Sequence, residues 1–187
     1  MDKVKRGNFM SDFSEIKAAQ IAAFLIKLNN GRENYTKLIK LVYLADRKAI
    51  LEWGFPITFD DMCSLPNGPV VSRFLNLIKN ENSGKTWREF IKKDGYNVIL
   101  INEPGDDELS VAEKELLQQI YNKYKDKNYS DMITFTHSLP EYKDPGTSSI
   151  PIHYEDILLA SGMPVYKVNE IIENIKFMLV SNSLINK

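Results

Sequence analysis

A mainly α, α+β fold is what this sequence predicts: a single compact helical domain with a small antiparallel β-hairpin. Three observations predict it. Apolar residues recur every three or four positions through most long segments. Capping residues and glycines bracket those segments. Two stretches, 55–66 and 96–109, lose the helical period and read as extended.

The elements follow in order. Residues 1–13, "MDKVKRGNFMSDF", are basic at their start, with no apolar run behind them long enough for a signal segment, and read as a loose tail. A first helix is expected over 14–29. Asp12 is its expected N-cap, with Glu15 in the capping-box position. Ile21, Phe24, Leu25 and Leu28 make one stripe, and Gly31 lies just past its end. The second helix, "YTKLIKLVYLADRKAILEW", starts behind Asn34 and stops at Gly54. Leu38, Leu41, Val42, Ala45 and Ala49 share one face, and Ile39, Tyr43 and Ile50 widen it. So broad a stripe marks a central helix with neighbours on two sides.

Phe55, Ile57 and Phe59 alternate, so the chain is extended there. Asn67-Gly68 reads as a turn. Pro69 suits the first position of a third helix, whose inner face is Val71, Phe74, Leu75 and Ile78. "KTWREFIKKDG" reads as a short helix ending at Gly95. A hairpin is expected over 96–109, turning at Pro104-Gly105. Ser110 and Glu113 form a capping box for a helix carrying Leu117, Ile120, Tyr121 and Tyr124. Ser130 is the expected cap of a shorter helix through 138. A proline- and glycine-rich loop, a helix stopped at Gly162 and a last helix behind Pro164 complete the chain. That last helix turns Val168, Ile171, Ile172, Ile175 and Leu179 inward.

Composition narrows the function classes. The chain has 187 residues and a net charge of −1, which disfavours a strongly basic nucleic-acid binder. One cysteine, Cys63, forbids an internal disulfide, and with two histidines it argues against a Cys/His zinc site. The cytoplasm is the expected location. The apolar run "IAAFLI" is far too short to span a bilayer, so no membrane role is expected. The sequons at Asn34 and Asn128 read as chance occurrences.

Catalytic patterns are scarce. "SGKTW" lacks the upstream glycine of a phosphate-binding loop, since Lys79 stands there. Asp60-Asp61 and Asp106-Asp107 read as exposed turn acids before they read as a cation site. Histidine is the side chain type best suited to acid–base work at neutral pH, but no nucleophile or second ionisable group is evident beside His137. A half-buried structural histidine, its ring bonded to a backbone carbonyl, is the expectation. Cys63 reads as small apolar filling. Trp53 and Trp87 read as core or core-edge residues, with an interface anchor as the alternative. Asp46 and Arg47, at the outer end of the central helix, read equally as a solvated pair or as the charged rim of a groove.

Three segments carry a resemblance. "KLIKLVYLAD" at 37–46, "DDMCSLPNGPV" at 60–70 and "MITFTHSLPEY" at 132–142 stand in the order and spacing of Panacea-domain proteins. The sequence resembles that family over residues 16–162, and the expected domain runs over 14–187. Met62, Ser64, Asn67 and Tyr142 depart from the family's usual residues.

The resemblance implies an antitoxin that binds and neutralises a cognate protein toxin encoded by a neighbouring gene, in a phage-associated or bacterial toxin–antitoxin pair. In one member it extends to a protease as second partner, with the antitoxin as adaptor. It implies no catalysis and no cofactor. The partner-binding candidates are Asp46, Arg47, Asn67, Gly68, Pro69, Val70, Arg73, His137 and Tyr142. Two other classes stay open. A nucleic-acid-binding transcriptional regulator would use Lys37, Lys40, Arg47 and Lys48 along the second helix. A hydrolase would use His137.

Overall fold

Helix α2 (Tyr35–Trp53) is the element on which the others are built. The structure, a computed structural model, describes residues 12–80 and 84–185. The expected tail lies outside the described residues as far as position 11, and Phe13 packs against the core. α2 begins where Asn34 accepts the N–H groups of Thr36 and Lys37, and it ends at Gly54, which holds φ +82°. An Asn cap of this kind stabilises a helix by about 1 kcal/mol. Leu38, Leu41, Val42, Ala45 and Ala49 are buried, as are Ile39, Tyr43 and Ile50. The stripe is as broad as the sequence implies because helices pack on several sides of α2.

The other helices are α1 (Glu15–Leu28), α3 (Ser72–Lys79), the short α4 (Trp87–Phe90), α5 (Val111–Tyr124), α6 (Tyr129–His137), α7 (Tyr154–Ala160) and α8 (Val165–Ile185); α4 packs on α1 and α8 on α7. α5, α6 and α7 lie directly on α2. Val168, Ile172, Ile175 and Leu179 of α8 are buried, as expected. No helix among the described residues is long and apolar enough to cross a membrane.

The β structure is richer than one hairpin. β1 (Arg32–Asn34), β4 (Ile91–Asp94) and β5 (Asn97–Leu100) form one antiparallel sheet in the order β1-β5-β4. β2 (Met62–Leu65), β3 (Gly68–Val71) and β6 (Ile150–Ile152) form another in the order β3-β2-β6.

Several boundaries move. α1 is capped by Ser14, whose hydroxyl accepts the Lys17 N–H, while Glu15 reaches across to the Trp87 N–H at 2.6 Å. Glu15 therefore joins two elements instead of closing a local capping box on Asp12. α6 is capped by Asn128, not Ser130, in a box with Asp131. The helix expected to run to Gly95 stops at Phe90 and becomes strand β4. Gly95, at φ +60°, opens the two-residue β4–β5 loop, so β5 pairs backward with β4 and not forward with residues 102–109.

The largest correction concerns Pro69. It stands in β3 opposite Ser64, and α3 begins only at Ser72. β3 is an edge strand, where a proline's missing N–H does not break the sheet. Pro66 and Asn67 form the loop of the β2–β3 hairpin, and Gly68 at φ +92° supplies the left-handed residue that follows such a turn.

Candidate functional site

The β2–β3 hairpin is pinned from beneath, from the side and at its exit. Beneath it, Lys40 on α2 is 1% exposed and donates from Nζ to the Pro69 carbonyl at 2.8 Å. Burial pulls the Lys40 ammonium down to about 7, because a charge leaving water is penalised. At the side, the hairpin lies against the end of α6. A Cβ at position 68 would stand 2.9 Å from Thr136 Oγ1, 3.0 Å from His137 Cδ2 and 3.0 Å from Lys40 Nζ. Gly68 thus answers two demands at once, a left-handed backbone and close approach to a neighbouring helix.

The loop after α6 then clamps β2. Tyr142 donates from its hydroxyl to the Leu65 carbonyl at 3.2 Å, and the Lys143 N–H reaches Ser64 Oγ at 3.3 Å. His137 stacks on Tyr142 with ring centroids 4.5 Å apart and planes 8° from parallel. The histidine is exposed, not half-buried, and it meets an aromatic face in place of the expected backbone carbonyl. Between those two residues, Glu141 is buried and accepts the Tyr43 hydroxyl at 2.9 Å and Arg47 Nε at 2.6 Å and Nη2 at 3.2 Å. Burial, with Glu141 beside it, raises the Tyr43 hydroxyl's pKa well above the ordinary tyrosine range.

At the hairpin's two ends, Asp46 holds the chain that enters β2 and Asp60 holds the start of α3, which leaves β3. Asp46 is fully buried and accepts the N–H groups of Ile57 and Thr58 at 2.8 and 3.0 Å, together with the Thr58 hydroxyl. It is no rim residue, because the 55–61 segment folds over it. Burial raises its carboxyl to about 7 against those three hydrogen bonds. Asp60 is no exposed turn acid either. It is 1% exposed and accepts the N–H groups of Arg73 and Phe74, both at 2.9 Å, so it caps α3 from twelve residues upstream of Ser72. Burial raises it to about 6.

The candidate residues therefore divide. Asn67, Gly68, Pro69, Val70, His137 and Tyr142 meet at one corner, and Arg47 reaches it through Glu141. Arg73 stands at the start of α3, 3.6 Å from Asp61. Asn67, Arg73 and His137 are exposed, whereas Asp46, Gly68, Pro69 and Val70 are buried. Lys37, Lys40, Arg47 and Lys48 do not form a basic face. Lys37 and Lys40 are buried, with Lys37 donating to the Lys125 carbonyl, and Lys48 pairs with Glu52.

The sequence reading missed Lys40, Glu141 and Thr136 as the groups that lock the corner. A lysine inside a wide apolar stripe was the available signal for Lys40. Cys63 is half-buried, its Sγ 3.3 Å from Ser72 Oγ.

A groove opens beside the hairpin. Its wall is Leu65, Pro66, Asn67 and Val70, its floor Ile39 and Lys40 of α2, and its far side Leu75 and Lys79 of α3. Tyr35 and Thr36 close one end, and the groove encloses about 160 Å³.

The family model described as antitoxin SocA-like, Panacea domain, matches residues 38–143, more than half of the chain. The match begins inside α2 and ends just past Tyr142, so it contains the corner and its clamps. No curated protein and no solved structure matches the chain.

Proposed function

This chain belongs to the SocA-like Panacea-domain family, and from that membership we propose that it binds and neutralises a protein toxin encoded beside it by direct contact. The observation that supports the reading is the corner itself. A short hairpin is marginal alone, yet here a buried hydrogen bond from α2 and two half-buried ones from the loop after α6 hold it. A fixed backbone loses little freedom on binding, so exposed groups on it are pre-organised for a partner. The proposed contact surface is Asn67, Arg73, His137 and Tyr142, with Arg47 behind them. Asp46, Gly68, Pro69 and Val70 act as its support.

The test is co-expression with the neighbouring open reading frame. The expected result is a toxic product, growth restored by this chain, and a complex that survives gel filtration. A neighbouring product that is toxic but neither bound nor neutralised would remove the proposal. Strains each lacking one host protease separate direct blocking from proteolytic delivery, because blocking persists in all of them.

A further inference from the structure

The groove between the hairpin, α2 and α3 has a composition that selects its occupant. Ile39, Val70 and Leu75 line it with apolar surface. Lys40 and Lys79 are its two charged groups, and no carboxylate lines it among the described residues. The volume of about 160 Å³ compares with the ~150 Å³ that accommodates a benzene-sized group. That is room for one branched aliphatic side chain.

Lys40 lines the floor; its ammonium carries three donors, and among the described residues the Pro69 carbonyl accepts from it. Burial of Lys40 disfavours its charged state until a counter-charge arrives. The positive end of the α2 dipole, at Tyr35 and Thr36, lies at the same groove and favours an anion. Just outside, Tyr35 stacks on Tyr96 at 6.5 Å, with Lys93 Nζ 5.6 Å from the Tyr35 ring, which extends the cationic surround.

We propose that this groove seats an acidic, aliphatic segment of the co-encoded partner: one leucine-type side chain enters between Ile39, Val70 and Leu75, and a flanking carboxylate meets the ammonium groups of Lys40 and Lys79. The proposal rests on the antitoxin reading for the identity of the partner, while the chemical class of the ligand rests on the groove alone. Specificity follows from charge, since a basic segment of the same shape would leave like charges facing one another.

The experiment uses the full chain, isotope-labelled, and three acetylated, amidated peptides: DLELD, NLQLN and KLKLK. DLELD at millimolar concentration is expected to shift the amide signals of Ile39, Lys40, Val70 and Leu75 in a saturable way. NLQLN is expected to bind roughly fivefold more weakly or worse, and KLKLK to leave those signals in place. Lys79→Glu, at an exposed position, should keep the melting temperature and lose DLELD binding by a similar factor. Equal shifts with all three peptides, shifts elsewhere, or none with DLELD would overturn the ligand class.

A second titration uses the co-encoded protein against wild type and Lys79→Glu. Loss of affinity in the variant supports the groove as its seat. Equal binding to both leaves the antitoxin reading standing and overturns the groove. A co-encoded protein that binds neither removes the antitoxin reading, and the peptides still decide the ligand class.

Discussion

Glu141 and Tyr43 lie far apart in sequence, yet the tyrosine hydroxyl donates to the buried carboxylate at 2.9 Å, and Arg47 closes on the same carboxylate from one helical turn further along α2. This arrangement fixes the loop that carries Tyr142, and so ties the corner to the core. The two charges are not equally placed. The Glu141 side chain is 0% exposed and that of Arg47 is 20% exposed. Arg47→Met should therefore cost at least as much as Glu141→Gln. The first strands a carboxylate with little water, whereas the second leaves a cation that can hydrate. The expected losses are about 3 kcal/mol and about 2 kcal/mol. Urea unfolding of both variants measures them, and a Glu141→Gln loss clearly the larger would show that the arginine carries the desolvation burden.

Gly68→Ala should destabilise far more than Cys63→Ala. The backbone at φ +92° disfavours any side chain, and the added methyl would meet Thr136 Oγ1 at 2.9 Å. Strain and crowding together should cost about 2 kcal/mol or more. Cys63→Ala removes one half-buried sulfur, at a cost of about 1 kcal/mol or less. Adding Thr136→Ala to Gly68→Ala should recover part of the loss, since the crowded oxygen goes and the φ strain stays. Perfect additivity of those two changes, measured by thermal melting, would show that crowding against Thr136 contributes nothing at position 68.

The helices were legible because their signals are local. Asn34 and Gly54 bracket α2, and its apolar stripe repeats within the helix itself. The β2–β3 hairpin was misread because Gly68-Pro69 also suits a helix start, and the deciding fact is a partner strand on either side of the turn. Asp94-Gly95 was a hairpin signal that the apolar residues Trp87, Phe90 and Ile91 outweighed. Asp46, Asp60 and Glu141 were beyond local reasoning. Each acid is buried only because a distant segment brings N–H or hydroxyl donors to it, and no spacing rule marks such a residue. The resemblance located the corner without its physics. It pointed to the Gly-Pro-Val turn and to "THSLPEY", while Lys40, which holds that turn from beneath, is in the sequence only one lysine of the alternative basic face.

Lys40 predicts a pH dependence. Its ammonium is near 7 in the folded chain and 10.5 in the ordinary unfolded reference. Between those values the unfolded state binds the proton more tightly, so this group's contribution to stability rises with pH. The penalty is fully present below about 7 and is relieved as pH climbs toward 10.5. The difference in unfolding free energy between wild type and Lys40→Met isolates this group from other titrations. That difference should shift in favour of wild type from pH 7 to pH 10, and parallel curves would refute the buried ammonium as its source.

The final prediction separates support from contact. Asn67, His137 and Tyr142 share the corner, and Asn67 and His137 are exposed on it, so alanine there should leave folding largely intact. Tyr142 needs care, because its hydroxyl holds the Leu65 carbonyl; Tyr142→Phe tests the hydrogen bond and Tyr142→Ala the ring. If the partner's centre of contact lies here, Asn67→Ala or Tyr142→Ala should weaken binding to the co-encoded protein by about 2 kcal/mol or more, with rim positions such as Arg73 costing little. His137→Gln should keep neutralisation, since a neutral amide still offers a donor and an acceptor but cannot shuttle a proton near neutral pH. Asp46→Ala should behave in the opposite way. It leaves the N–H groups of Ile57 and Thr58 buried without their acceptor, so stability should fall by about 2–3 kcal/mol. Binding by the fraction that remains folded should nevertheless match wild type. Calorimetric titration corrected for the folded fraction distinguishes the two groups. Exposed variants that all bind like the parent would move the contact away from the corner, and a folded Asp46→Ala variant that fails to bind would show that the segment Asp46 holds takes part in the contact.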